Sequence, residues 1–256
     1  MRLTDFFGGF TRQIFSVFGC GGKTSLVWAL AASTAGSKTL VTTTTNMQGP
    51  EQSGTLFDYF FDEAASRDIH PSKGVAFAGN RKTSGTSISS FTLPALERII
   101  PLFDNVFIEA DGSRAKPLKA WADYEPVVTE STTVSVGILP LWPLGKAVSE
   151  EIVHRLPLFT VLTGAREGDA IACGHYVPLI SGRAADGLDR GGGFGGAAYP
   201  LFHAAKGLKI LFFNQIEDEA GIEAARRITA MLPRGFRDRL SSVIAGSVRE
   251  NRVILL

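Results

Sequence analysis

A chain of 256 residues, 45% hydrophobic and 20% charged, has the composition of a folded protein and not of a disordered one. Its 26 basic and 25 acidic residues give a formal net charge of +1, which excludes the strong positive charge typical of nucleic-acid-binding proteins. Two cysteines exclude a disulfide framework, and no run of 18 apolar residues predicts a membrane span. We therefore expect a cytoplasmic protein that binds neither nucleic acid nor membrane.

Short β-rich segments alternate with helical patterns, which is typical of βαβ units and a mainly parallel sheet. The predicted strands are Ile14–Phe18, Thr39–Thr43, Val75–Ala78, Asn105–Glu109, Thr133–Leu139, Leu208–Phe213, Ser241–Ala245 and Val253–Leu256. Helices are predicted at about 24–35, at 93–102 and around 222–232. The pattern predicts a three-layer α/β fold like that of P-loop NTPases, formed by residues 1–256 as a single domain.

Residues 140–206 are the least regular part of the sequence, with several prolines and the glycine-rich segment Gly187–Gly196. These residues could form an insertion or small subdomain on the common sheet, and we expect the glycine-rich segment to be a mobile loop that could serve as a lid. Within it, His154 and Arg155 follow two glutamates in a helical pattern.

The first strand leads directly into Gly19-Cys20-Gly21-Gly22-Lys23-Thr24-Ser25, and a helix follows. Glycines let backbone N–H groups turn towards a phosphate, and a helix N-terminus favours negative charge. In such a loop the lysine reaches the β- and γ-phosphates and the threonine hydroxyl binds Mg²⁺. The full G-x-x-x-x-G-K-[ST] pattern needs a glycine where this chain has Val17, so the alternative is a glycine turn followed by an unrelated Lys-Thr pair. The context favours a phosphate-binding loop for ATP or GTP with Mg²⁺.

The second strand ends in Thr42-Thr43-Thr44-Thr45, close to where the first strand would place a nucleotide. Threonine hydroxyls there could contact Mg²⁺ or phosphate. β-branched residues also favour strands, so an ordinary strand end is the alternative.

The strand ending at Glu109 continues into Ala110-Asp111-Gly112-Ser113-Arg114. Nucleotide hydrolases need a carboxylate at the end of a buried strand to hold Mg²⁺ or its water, so Glu109 and Asp111 are the two candidates. Arg114, Lys116 and Lys119 could meet an anionic substrate or the transferred phosphoryl group. A solvated Asp-Gly turn followed by a basic loop is the alternative.

A late buried strand ends in Asn214-Gln215-Ile216-Glu217. Guanine-specific proteins carry N-K-x-D at this place, where the acid accepts the N–H groups of guanine. Because Gln215 and Glu217 change length and charge, these residues predict a nucleotide contact without a clear guanine preference. A strand end followed by an acidic first helical turn is the alternative.

Five stretches of the chain together resemble the YqeC family, in the order IFSVFGCGGKTSLVWALA, TLVTTTTNM, NVFIEADGSRAKPLKAWADYEPVV, LGKAVSEEIVHR and FFNQIEDE. Members of that family are described as accessory proteins of selenium-dependent hydroxylases and are similar to P-loop NTPases. The resemblance implies a nucleotide-dependent role in the maturation of a client molybdenum hydroxylase. It also favours a functional role for Thr43 and Thr44.

Three hypotheses follow. The first is a slow ATP- or GTP-hydrolysing accessory protein, in which Lys23, Glu109, Asp111 and Arg114 do the chemistry and Thr24 with Glu109 or Asp111 holds Mg²⁺. The second is an ATP-dependent kinase or ligase that binds its acceptor at Arg114–Lys119. The third is an adaptor that binds nucleotide without hydrolysing it. The sequence leaves open the base preference, the client and the oligomeric state.

Overall fold

The structure, a computed structural model, describes residues 1–10, 12–48, 57–82, 87–182 and 198–256. The strands are β1 (Ile14–Gly19), β2 (Lys38–Thr43), β3 (Asn46–Gln48), β4 (Tyr59–Phe61), β5 (Gly74–Ala78), β6 (Asn80–Arg81), β7 (Ser87–Ser89), β8 (Asn105–Glu109), β9 (Leu118–Lys119), β10 (Val134–Pro140), β11 (Val153–His154), β12 (Leu208–Asn214), β13 (Ser242–Ser247) and β14 (Arg252–Leu255). The helices are α1 (Leu3–Gly8), α2 (Lys23–Ser33), α3 (Leu93–Ile99), α4 (Leu156–Thr163), α5 (Cys173–Ser181), α6 (Glu219–Met231) and α7 (Arg234–Arg237). Short 3₁₀ segments occur at Ala65–Asp68 and Ile100–Leu102.

Nine strands form the central sheet in the order β14-β13-β12-β10-β1-β8-β2-β5-β4. Every neighbouring pair is parallel except β13 and β14. The predicted α/β fold with a mainly parallel sheet is therefore confirmed. Two small sheets, β11-β9 and β3-β7-β6, lie outside it and were not predicted.

Helices cover both faces of the sheet because successive strand side chains point to opposite sides. Phe15 and Val17 of β1 share a core with Leu26 and Leu30 of α2, whereas Phe18 belongs to a core on the other face. That second face packs against α4, α5 and α6 at one half of the sheet and against α3 at the other. The result is three layers, as the strand and helix pattern predicted.

The predicted helix at 93–102 is an α-helix only as far as Ile99 and then tightens into the 3₁₀ segment. Pro101 explains the change, because proline has no N–H to donate to the preceding turn. The ends of the other predicted elements agree with the structure to within a few residues.

The region after β10 corrects one prediction. His154 lies in β11 and not in a helix, and Arg155 has a left-handed φ of +60° before α4 begins. α4 and α5 pack on each other, and their apolar side chains join the core that contains Phe18. The glycine-rich segment Gly187–Gly196 lies outside the described residues. That residues 1–256 form a single domain, with a possible insertion at about 140–206, stays a prediction.

Parallel register brings the carboxyl ends of the central strands to one edge of the sheet. Val17 pairs with Glu109, Gly19 with Ile138 and Pro140 with Asn214, so the carboxyl ends of β1, β8, β10 and β12 lie side by side. The end of β2 lies next to that of β8, and the end of β13 lies next to that of β12. Open α/β sheets bind their ligands at this edge.

None of the helices in the described ranges combines the length and the hydrophobicity that a membrane span requires.

Candidate functional site

The loop between β1 and α2 can be formed only by glycines at its turning points. Gly19, Gly21 and Gly22 all have left-handed φ values, of +112°, +77° and +117°. A Cβ on Gly22 would lie 2.4 Å from the Asn214 Nδ2, and one on Gly21 would lie 2.6 Å from the Pro140 ring. The loop therefore has the glycine turn that a phosphate-binding loop requires, packed closely against the ends of β10 and β12.

Lys23, Thr24 and Glu109 meet where α2 begins. The Lys23 ammonium donates to the Gly19 carbonyl at 2.7 Å, and the Thr24 hydroxyl donates to Glu109 Oε2 at 2.7 Å. Burial raises the pKa of Glu109 above its usual range, although Lys23 and the Thr24 hydrogen bond oppose the shift. Burial alone would lower the pKa of Lys23, but the nearby carboxylates of Asp111 and Glu109 outweigh it and raise that pKa.

Asp111 is the other carboxylate predicted to bind a metal, and both of its oxygens contact groups inside the protein. Its oxygens accept the Gly19 N–H at 3.0 and 3.1 Å and the Trp121 indole N–H at 2.7 Å. They also face the ammonium groups of Lys23, at 3.4 Å, and Lys119, at 2.9 Å. Asp111 is buried, but its positive neighbours overcome the effect of burial and lower its pKa. The arrangement makes Asp111 an internal counter-ion and leaves Glu109 closer to the Thr24 hydroxyl.

The ion pairs continue inward from Asp111. Lys119 is fully buried, donates to the Gly112 carbonyl at 2.6 Å and pairs with Glu125 at 2.9 Å. Arg155 closes the series by donating to Glu125. Burial lowers the pKa of Lys119 despite the pull of Asp111. Lys119 was predicted either to contact an anionic substrate or to lie on a solvated basic loop. The buried position of its side chain agrees with neither prediction.

Thr43 and Thr44 lie beside Glu109, but their hydroxyls are directed at backbone carbonyls. Thr43 Oγ1 donates to the Glu109 carbonyl at 2.8 Å and Thr44 Oγ1 to the Val127 carbonyl at 2.6 Å. Both residues are buried. These bonds favour the strand-end interpretation, because a contact with Mg²⁺ or phosphate would have to replace them.

An open cleft of about 630 Å³ lies in front of the glycine loop. Lys23, Thr24 and Glu109 line this cleft together with Arg114 and Lys116. Arg114 is exposed and has a left-handed φ of +51°. The predicted basic loop and the predicted phosphate loop therefore border the same cleft. The pKa of the nearby His154 is lowered to about 4 by burial and then by positive charges that include Arg114.

At the end of β12, Asn214 has a structural role, whereas Gln215 and Glu217 lie in an open cleft. Asn214 donates to the Gly21 carbonyl at 2.7 Å and accepts the Val248 N–H at 3.0 Å, so it ties the glycine loop to the end of β13. Gln215 and Glu217 are exposed and line a second cleft of about 540 Å³. That cleft shares Gly22, Ser25 and Gln215 with the first one.

Sequence reasoning missed four residues of this second cleft, Trp142, Ser247, Val248 and Arg249. Trp142 lines both clefts, and Ser247 and Arg249 line the second. Arg249 pairs with Glu217 at 2.8 Å. One signal was available for Ser247 and Arg249, because they follow a predicted strand of the same parallel sheet and so reach the same edge.

Cys20 is completely buried within the loop, and burial raises the pKa of its thiol to about 11. We expect a thiol reagent such as 5,5′-dithiobis-(2-nitrobenzoate) at pH 8 to modify Cys20 only when the chain unfolds, since the thiolate is the reactive form. The partly exposed Cys173 should react in the native protein. Absorbance at native and denaturing conditions counts the two thiols. Rapid modification of both in the native state would contradict the expectation.

The described residues contain no group of three or more histidine, cysteine, aspartate or glutamate side chains that could hold a metal by itself. The donor pair of Thr24 and Glu109 instead fits Mg²⁺, which takes hard oxygen ligands and commonly completes its shell with water and phosphate.

Comparison with known proteins agrees with the resemblance seen in the sequence. The family described as YqeC protein matches residues 15–157. A protein of Escherichia coli (strain K12) named "Uncharacterized protein YqeC" is 32% identical over 172 residues, which cover 65% of this chain and 67% of the relative. No solved structure matches the chain. The matched region holds the glycine loop, Glu109, Asp111 and the buried ion pairs, and the chain belongs to the YqeC family.

Proposed function

We propose that this protein binds a nucleoside triphosphate with Mg²⁺ at residues 19–25 and hydrolyses it slowly. The observation that carries the proposal is the 2.7 Å contact between the Thr24 hydroxyl and Glu109. It places two oxygen ligands at a helix N-terminus, beside a lysine and a glycine turn that no larger residue could form. The combination is the one expected of a P-loop.

The residues of the chain would share the work as follows. Backbone N–H groups of 21–24 would surround the β-phosphate, and Lys23 would exchange its contact with the Gly19 carbonyl for the β- and γ-phosphates. Thr24 would bind Mg²⁺ directly, and Glu109 would bind it directly or through water. Mg²⁺, when bound, neutralises charge on the phosphates. Arg114, which lines the same cleft, could approach the γ-phosphate.

The biological role we propose is accessory: the nucleotide would drive a step in the maturation of a molybdenum hydroxylase in the cytoplasm. Support for this part comes from the family resemblance. The cleft edge formed by Arg114 and Lys116 is the surface that a bound nucleotide would alter most directly.

Isothermal titration calorimetry with non-hydrolysable ATP and GTP analogues and Mg²⁺ tests the proposal. Lys23→Ala should weaken binding by roughly 100-fold, because it removes a charge-assisted hydrogen bond to phosphate. Lys73→Ala is the matched control, since Lys73 is exposed just before β5 begins, at the other edge of the sheet, and should leave binding unchanged.

Glu109→Gln is the second arm of that experiment. It should remove most of the gain in affinity that Mg²⁺ provides and leave the Mg²⁺-free affinity unchanged. If neither analogue binds a folded native chain, or if Lys23→Ala binds as tightly as the native chain, the proposal is wrong.

A second candidate function is phosphoryl transfer to an anionic small molecule. Arg114 and Lys116, which line the same cleft as the glycine loop, favour it, since both could bind the acceptor. Nucleotide turnover that requires an added acceptor would support this candidate over hydrolysis. Binding with no turnover under either condition would support the adaptor hypothesis.

A further inference from the structure

We propose that Trp142 is the surface on which the purine base of the bound nucleotide stacks. The inference rests on the proposed function and adds a residue that specifies where the base lies. Purine is the expected base class because its two fused rings offer the larger stacking area to an indole.

Trp142 occupies the boundary between the two clefts. It lines both the phosphate-side cleft, with Lys23 and Thr24, and the second cleft, with Gln215 and Glu217. A ligand held by its phosphates at the glycine loop would therefore extend past this side chain into the second cleft.

Its exposure also sets Trp142 apart. The side chain is 48% exposed, whereas Trp28 is 5% exposed and Trp121 is fully buried. A single exposed apolar residue is common on protein surfaces and proves nothing by itself. This one lies at the junction of two clefts that share Gly22 and Ser25 of the glycine loop, where an exposed indole face has a defined use.

The turn that carries Trp142 is fixed before any ligand arrives. The Pro140 ring packs against Gly21, and the Tyr176 hydroxyl donates to the Pro140 carbonyl at 2.9 Å. Leu141 is buried, and its carbonyl accepts the Leu144 N–H at 3.0 Å. Holding an aromatic side chain in place in advance reduces the entropy lost on binding.

The second cleft supplies polar groups for the edges of a base. Glu217 offers carboxylate oxygens and Arg249 offers guanidinium donors, and these two exposed side chains pair with each other at 2.8 Å. Gln215, with a left-handed φ of +62°, and Ser247 provide further polar groups. A base with both donors and acceptors on its edge suits this set, as both purines have.

Tryptophan fluorescence and calorimetry test the assignment. Native protein is titrated with Mg²⁺-ATP, Mg²⁺-GTP and, as a ligand without a base, Mg²⁺-tripolyphosphate. Because Trp142 is the one strongly exposed tryptophan, we expect nucleotides to quench or shift its emission more than tripolyphosphate does. The same titrations are followed by calorimetry with Trp142→Ala, Trp142→Phe and Leu102→Ala.

Trp142→Ala should weaken binding of at least one purine nucleotide about tenfold or more. This is the usual effect of replacing, by alanine, an aromatic side chain on which a base stacks. Its affinity for tripolyphosphate should not change. Trp142→Phe should keep most of the affinity because it keeps a ring. Leu102→Ala, which removes a similarly exposed apolar side chain before β8 begins, should match the native protein.

Two failures can be told apart. If nucleotides bind Trp142→Ala as tightly as the native chain, the stacking assignment is wrong and the proposed function stands. If folded native protein binds neither nucleotides nor tripolyphosphate, both are wrong. An equal loss of nucleotide and tripolyphosphate affinity in Trp142→Ala would also overturn the assignment, since it would indicate a damaged phosphate loop.

Discussion

Asp111→Asn is expected to lower the free energy of unfolding by about 3–5 kcal/mol, the range for a buried ion pair that loses one partner. The Asp111 carboxylate faces two buried ammonium groups, those of Lys23 and Lys119, and accepts N–H groups from Gly19 and Trp121. Asparagine removes the negative charge while keeping the volume. Among the described residues, Lys119, which has no exposed surface, would then keep only Glu125 for charge compensation. Urea denaturation at pH 7, followed by circular dichroism, measures the change.

The lowered pKa of Asp111 also predicts how the stability difference between the native protein and Asp111→Asn changes with pH. Because the folded-state pKa of Asp111 is lowered, its contribution to stability is complete above the unfolded carboxyl pKa of about 3.9 and is lost as the pH falls through the lower folded value. The difference between native and Asp111→Asn stability should stay constant from about pH 7 to 5 and narrow below about pH 4. A difference that grows on acidification would contradict the ion-pair explanation.

Glu130→Gln is the matched control for Asp111→Asn. It makes the same change from carboxylate to amide in an ion pair, with Lys206 at 2.6 Å, but the Glu130 side chain is 89% exposed. Exposed pairs contribute little because water and salt screen them, so the free energy of unfolding should change by no more than about 0.5 kcal/mol. A comparable loss in both variants would mean that the burial of Asp111 is not what matters.

The central strands and the glycine loop could be predicted because their signals are local. β1, β8 and β12 are mainly apolar and mostly buried, as expected of strands covered on both faces, and each ends at a polar or glycine residue. The loop motif lies within seven consecutive residues. Parallel strands then bring their carboxyl ends together without further information, and this edge is where the candidate site lies.

Other features depend on contacts between distant parts of the chain, which one sequence does not reveal. The basic segment around Lys119 predicts a surface residue. In the structure Lys119 is buried, where it pairs with Asp111 and Glu125. The choice between Glu109 and Asp111 likewise depends on Trp121, whose indole N–H occupies an Asp111 oxygen. The two-residue strands β9 and β11 are too short to give a periodic pattern.

Gly19→Ala should be among the most disruptive single substitutions in the chain. A Cβ at this position would lie 2.1 Å from the Ile138 carbonyl oxygen, which belongs to the neighbouring strand β10. The same oxygen accepts the Cys20 N–H at 2.8 Å, so it cannot move away without losing that bond. The φ of +112° adds strain of its own for any residue with a Cβ.

We therefore expect Gly19→Ala to lower the free energy of unfolding by at least roughly 3 kcal/mol and to abolish nucleotide binding by whatever fraction remains folded. Binding should fail because the Gly19 carbonyl and N–H hold Lys23 and Asp111 in place. Gly36→Ala is the matched control, since no atom of the residues that the structure describes lies within 4 Å of its Cβ position. That variant should keep its stability or gain up to about 1 kcal/mol through a less flexible unfolded chain. If Gly19→Ala were as stable as Gly36→Ala, the close approach of β1 and β10 at the glycine loop would be wrong, and the geometry proposed for phosphate binding with it.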